Sequence, residues 1–186
     1  MSKWGGRVVA PAAGALAVMA AAVIGTATAS HQADSVTIKA RDKGTSFVVN
    51  KSATDTMYFM PGAATVKSGG TLTFEYAGPK DEPHTLSIVK ASSLPRTSAQ
   101  MNNCTICNTI AGGHIKNPHA PPGPTNDIVH WTVDKGKAGL DEPGDSIAIE
   151  GNGHKSISIK VTAPAGTTLN FLCAVHPWMQ GTIKVT

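Results

Sequence analysis

An all-β fold, a sandwich or barrel, is the class this sequence predicts, on three observations. Apolar residues recur mainly at every second position in eight short runs, at 36–38, 46–49, 71–74, 85–89, 146–149, 156–161, 168–171 and 181–185. That alternation puts them on one face of a sheet. Clusters of Gly, Pro, Asp and Ser separate the runs, as turns between strands require. Only 15% of the 186 residues are charged, and 19 Gly with 12 Pro suit a loop-rich β protein rather than a helical bundle. The length allows one domain with a substantial core.

The elements follow in chain order. Lys3 and Arg7 precede an apolar stretch over 8–24, and Ala27-Thr28-Ala29 forms a small-residue cleavage pattern. Residues 1–29 therefore read as a signal peptide of a secreted or periplasmic protein, leaving 30–186 as a single domain. The apolar stretch is close to a membrane span in length, so an uncleaved anchor is the alternative and the only membrane attachment the sequence suggests. Without residues 1–29 the chain has 14 Lys plus Arg against 12 Asp plus Glu. No basic run or Arg/aromatic alternation points to nucleic acid. From Ser35 the runs begin, with Ser68-Gly69-Gly70 and the segment 163–166 placed as turns. Between 90 and 143 the regularity fails, and only 128–133 reads as a strand there. This long, loop-rich stretch is expected to be an irregular insertion before the last strands, of a length that is usually functional or disordered.

The chemistry concentrates near the C-terminus. Cys173, His176 and Met179 stand in a C-x2-H-P-x-M pattern between two strand runs, and His84 is the best candidate for a fourth ligand. Two imidazoles and a thiolate in a trigonal set with a weak axial thioether suit copper that cycles between two oxidation states. The plainer reading is a buried free thiol with ordinary loop residues around it. Three cysteines are an odd number, and a single thiol in an exported chain is protected when a metal occupies it. Cys104 and Cys107 can pair as a disulfide in the insertion. Alternatively they join Met101, His114 and His119 in an accessory soft-metal site, which would make the chain a copper-binding or delivery protein. His130 beside Trp131 reads as a packed polar residue, and His31 and His154 as solvent-facing turn residues.

The segment 171–185 resembles the C-terminal ligand loop of the amicyanin and plastocyanin branch of the cupredoxins, the type 1 blue copper proteins. The resemblance extends to 71–89, where a strand leads into Glu82-Pro83-His84 and another strand follows. It implies a Greek-key β-sandwich with one mononuclear copper held by His84, Cys173, His176 and Met179. It also implies a monomeric electron carrier, not an enzyme, which exchanges electrons with a redox protein donor and acceptor and docks through an apolar surface at Pro177 and Trp178. Two departures stand out: Thr85 occupies a position where the family often has Asn and offers fewer hydrogen bonds, and the stretch between the ligand segments is far longer than in small members. A dinuclear centre would need a second cysteine where Leu169 stands, and covalent haem would need His where Asn108 follows Cys107.

Overall fold

Alternating segments of this sequence close into two sheets whose apolar faces meet. The computed structural model describes residues 33–78, 82–117, 128–151 and 153–186; the expected signal peptide over 1–29, with His31 and His119, lies outside them. In chain order the strands are β1 (Ser35–Val48), β2 (Ser52–Met60), β3 (Ala63–Val66), β4 (Thr71–Ala77) and β5 (His84–Val89), then β6 (Thr132–Val133), β7 (Ser146–Ile149), β8 (Ser156–Lys160), β9 (Thr168–Leu172) and β10 (Gln180–Val185). Between β5 and β6 lie a 3-10 turn at Ala91–Ser93 and two helices, α1 (Ser98–Asn102) and α2 (Thr105–His114).

One sheet has the order β2-β1-β4-β8 and the other β3-β10-β9-β5-β7-β6. Neighbours run antiparallel except for β1 with β4 and β3 with β10, which are parallel. The chain changes sheets from β2 to β3, from β3 to β4, from β4 to β5, and again on either side of β8. This is the Greek-key way of closing a sandwich. Inward residues of both sheets form one core that includes Ile38, Leu72, Phe74, Leu86, Ile88, Ile147, Phe171 and Ile183, all with 1% or less of their surface exposed. Phe59 sits at its centre, edge-on to Phe74 and Phe171 with ring centroids 6.0 and 4.9 Å away.

Several elements differ from the sequence expectation. The runs 36–38 and 46–49 are one strand, β1, whose pairing with β2 shifts register between Asp42 and Thr45. Gly44 supplies the left-handed backbone that this bulge needs, with φ 87°, and its N–H donates to Asp42 Oδ1 at 2.6 Å. Strand β2 escapes the alternation rule because its first five residues are all exposed, and only Met57 and Phe59 turn inward. At four residues, β3 is too short to show a period. The run 128–133 shrinks to Thr132–Val133, with Ile128 making only an isolated bridge to Ile115.

The segment 90–143, expected to be irregular, carries the two helices. Thr97 and Gln100 form a reciprocal capping box at the start of α1, and Cys104 Sγ caps α2 by accepting from the Cys107 N–H. From α2, Cys107 and Ile110 pack with Cys104 and Leu94 onto Val89, Leu172 and Ala174, a second apolar cluster on the outer face of the larger sheet. Every residue of β5 and β7 is consequently buried. Alternation would send Thr85, Ser87 and Ser146 to water, but the helical layer covers them.

Cys104 and Cys107 are joined by a disulfide, and Cys173 is a buried free thiol. Thiol counting on denatured, metal-free protein is expected to find one reactive group before reduction and three after. Three before reduction would mean that the pair is open in solution. So short a loop gains about 2 kcal/mol in the chain-entropy model, so the bridge acts mainly on the local shape of α2.

Candidate metal centre

The loop from Cys173 to Met179 is closed by its own backbone. The Cys173 N–H donates to the Met179 carbonyl and the Met179 N–H to the His176 carbonyl, both at 2.9 Å. Immediately after it, β10 runs so close to the β2–β3 connection and to its neighbour β9 that a Cβ at Gly181 would run into the Gly62 carbonyl and the Phe171 ring. Only glycine allows that approach. Across the loop, β5, an interior strand of the larger sheet, begins at His84, which faces inward from the first position of the strand.

These elements bring three donors together. His84 Nδ1 and His176 Nδ1 are 3.2 Å apart, and Cys173 Sγ lies 3.7 Å from the second and 4.0 Å from the first. A point equidistant from the three is about 2.1 Å from each, matching the bond lengths of about 2.0–2.3 Å by which first-row metals hold imidazole and thiolate. Among the described residues this trio is the one group of His, Cys or carboxylate side chains arranged to hold a metal. Met179 is buried in the same loop, with 1% of its surface exposed. Two nitrogens and one thiolate in a triangle, with a buried thioether nearby, fit one type 1 copper.

The residues behind the donors complete the site. His176 Nε2 is 3.4 Å from Glu82 Oε2, while His84 Nε2 is buried with no hydrogen-bond partner. Thr85 does more than the sequence reading allows: its N–H donates to Cys173 Sγ at 3.4 Å, and its hydroxyl accepts from the Ala174 N–H at 2.7 Å. Side chain and backbone together thus tie β5 to the ligand loop, the task that Asn serves in the resemblance. The sequence signal for this was a polar residue next to a ligand in a strand. Trp178 lies edge-on to His176, ring centroids 5.3 Å apart, and is 43% exposed, as is Val175 at 41%. With Pro177 they border a groove of about 430 Å³ that Met101 and the disulfide line from the other side.

Among the described residues the accessory metal site does not assemble. Cys104 and Cys107 are consumed in their disulfide, and both His114 nitrogens are engaged, Nδ1 with the His130 carbonyl at 2.5 Å and Nε2 with Ser146 Oγ at 2.7 Å. His114 is a satisfied buried histidine. His130, expected to be packed, is exposed, and His154, exposed as expected, leans on the Trp131 ring with centroids 4.3 Å apart.

Without metal, burial dominates the titration of the centre. It pushes the Cys173 thiol up, against hydrogen bonds from Thr85, His176 and Val175 that favour the thiolate. Burial, followed by the nearby His176, lowers His84 to about 4. It also lowers His176, against Glu82, Asp55 and Asp42, and lowers His114. Below about pH 6.5 the unfolded chain takes up protons that these folded imidazoles refuse, so the stability is complete above that value and is lost as the pH falls towards about 4. Denaturant unfolding of metal-free protein at pH 7.5 and 5 is expected to differ by on the order of 2 kcal/mol from His84 alone. Equal stabilities at the two pH values would mean that the imidazoles are not buried in the metal-free state.

A β-sandwich with two imidazoles and a buried thiol converging beside a buried methionine is cupredoxin-like in both fold and site. The chain is similar to the solved structures of auracyanin A, a "blue" copper protein from Chloroflexus aurantiacus, at 22% identity over 82% of this chain and 99% of that one, TM-score 0.42. It is also similar to auracyanin from Roseiflexus castenholzii, at 18% identity over 83% and 98%, TM-score 0.40. Plastocyanin from Dryopteris crassirhizoma matches at 18% identity over 81% and 100%, TM-score 0.39. No protein-family model matches the sequence, and no curated protein matches it.

Proposed function

We propose that the protein is an exported type 1 copper protein that carries single electrons between redox protein partners. The observation that carries this reading is the convergence of His84 Nδ1, His176 Nδ1 and Cys173 Sγ on one point. His84 and His176 would hold copper through nitrogen, Cys173 through its thiolate and Met179 more weakly through its thioether. Copper bound there supplies a one-electron couple. The chain supplies rigidity: the ligands come from the start of a strand and a backbone-closed loop, so little has to move when the charge changes. Burial of Cys173, His84 and Met179 keeps water from the donors, which favours passing an electron over binding a substrate. Among the described residues no helix is long and apolar enough to cross a membrane. Independently of that, the basic start, apolar stretch and Ala27-Thr28-Ala29 pattern are the grounds for taking the carrier as exported with its signal cleaved, and we take it as a monomer.

The deciding measurement is the optical spectrum of the copper-loaded protein before and after reductant. An intense visible band that bleaches on reduction, at one copper per chain, is the expected result. Colourless copper, or several labile equivalents, would favour delivery of the metal.

Exit through His176 follows from exposure, because Trp178 and Val175 form an apolar rim beside its ring whereas His84 is sealed inside. Trp178→Lys is expected to slow electron self-exchange at least severalfold with little change in the spectrum, since it places a solvated charge in the docking rim without touching a ligand. Equal rates at several salt concentrations would put the docking surface elsewhere.

A further inference from the structure

The helical layer over the larger sheet encloses a chain of polar groups that runs from α2 to the ligand loop. His114 Nδ1 meets the His130 carbonyl at 2.5 Å, and His114 Nε2 meets Ser146 Oγ at 2.7 Å. Ser146 Oγ is 2.7 Å from Ser87 Oγ, which is 2.8 Å from Thr85 Oγ1. Thr85 Oγ1 in turn accepts from the Ala174 N–H at 2.7 Å. His114, Ser146, Ser87 and Thr85 are each at least 98% buried, so their hydrogen bonds are made within the protein.

The two ends fix where every hydrogen lies. A carbonyl only accepts, so His114 carries its hydrogen on Nδ1, and its neutral Nε2 must accept from Ser146. Ser146 then accepts from Ser87, and Ser87 accepts from Thr85. At the other end the Ala174 N–H only donates, which agrees with Thr85 accepting there and giving its own hydrogen to Ser87. All the hydroxyls therefore point one way, away from the metal loop and towards α2, in a mutually polarising series. The Thr85 hydroxyl also sits beside the cysteine: Thr85 N lies 3.4 Å from Cys173 Sγ, and the hydroxyl accepts from Ala174, the residue directly after Cys173. Were its hydrogen released from Ser87, the sulfur would be the acceptor at hand.

We propose that Ser87, Ser146 and His114 are positioning residues for the copper centre: they hold the Thr85 hydroxyl hydrogen away from the Cys173 sulfur and so set how much electron density the thiolate gives the metal. The inference rests on the copper reading above and gives the long 90–143 segment a role in it, because α2 supplies the acceptor on which the whole series ends. Hydrogen bonds to a copper-bound cysteine sulfur tune the reduction potential. A donated hydrogen withdraws density from the thiolate and favours Cu(I). In Ser87→Ala the Thr85 hydroxyl loses its acceptor and turns to the sulfur. In Ser146→Ala the Ser87 hydroxyl has only Thr85 left to donate to, which reverses that link and releases the same hydrogen.

Two measurements test this. In metal-free parent protein, imidazole nitrogen chemical shifts should show His114 with its hydrogen on Nδ1; a hydrogen on Nε2 would reverse the series and overturn the proposal. In copper-loaded protein, redox titration should find that Ser87→Ala and Ser146→Ala each shift the balance towards Cu(I) about tenfold, which is about 59 mV for a one-electron couple. The double variant should shift no further than either single one, because all three reach the same state. Variants that lose stability at an unchanged potential would reduce the series to a structural role, and shifts that add would mean independent effects; either overturns the proposal. A parent protein that binds copper without a thiolate band would overturn the copper reading instead, leaving the His114 measurement to judge the hydroxyl series by itself.

Discussion

Cys173→Ser is expected to abolish the visible thiolate-to-copper absorption while leaving a folded sandwich. The side chain is fully buried at the end of β9, and serine fits the same volume and can still accept the Thr85 N–H. What serine lacks is the polarisable sulfur whose charge transfer to copper makes the colour, and an alcohol does not ionise as a thiol does when it meets a metal. Absorption between 400 and 700 nm, recorded beside far-ultraviolet circular dichroism and a thermal melt, separates loss of the ligand from loss of the fold. A blue band that survived in this variant would remove Cys173 from the centre.

Phe171→Ala is expected to cost about 3–5 kcal/mol of stability. Its ring lies wholly buried between the sheets, edge-on to Phe59, and fills the space where β10 passes closest at Gly181. The cavity cannot close readily, because β9 is held by β10 on one side and β5 on the other. Urea unfolding of parent and variant gives the difference directly. A cost below about 1 kcal/mol would mean that Phe59 and the strand move into the gap. Phe171 lies two residues before Cys173, so weaker copper retention should accompany the loss.

The sandwich is legible in the sequence wherever a strand has one wet and one dry face, as at 71–74 and 156–161. It fails for β2, whose exposed first half carries no apolar signal, and for β1, where a bulge at Gly44 splits one strand into two apparent runs. The three donors that converge are legible because ligand chemistry restricts them to Cys and His: Cys173 and His176 stand at a tight spacing between strand runs, and the distant His84 stands where a strand begins. The polar groups around them are not. Thr85, Ser87 and Ser146 carry the pattern of a solvated face, and only the packing of α2 turns that face into an interior. His114 illustrates the same limit from the other side: as a letter near two cysteines it suggests a ligand, and in the fold both of its nitrogens are already used.

The helical cover has a further consequence for the minimal size of this protein. In a two-layer sandwich the outer face of each sheet is water-compatible, so a connection between strands can be shortened to a turn. Here β5, β7 and β9 turn Val89, Ala148 and Leu172 outward beside the buried hydroxyls, and α2 with its disulfide is what lies over much of that surface. The side-chain amide of Gln180 also bonds to the Pro95 and Pro177 carbonyls at 2.8 and 2.9 Å, pinning the segment to the ligand loop. The segment is thus a third layer rather than an ornament on two. A chain trimmed to the size of a small sandwich would need that face redesigned, hydroxyls included, before it could be expected to stay soluble.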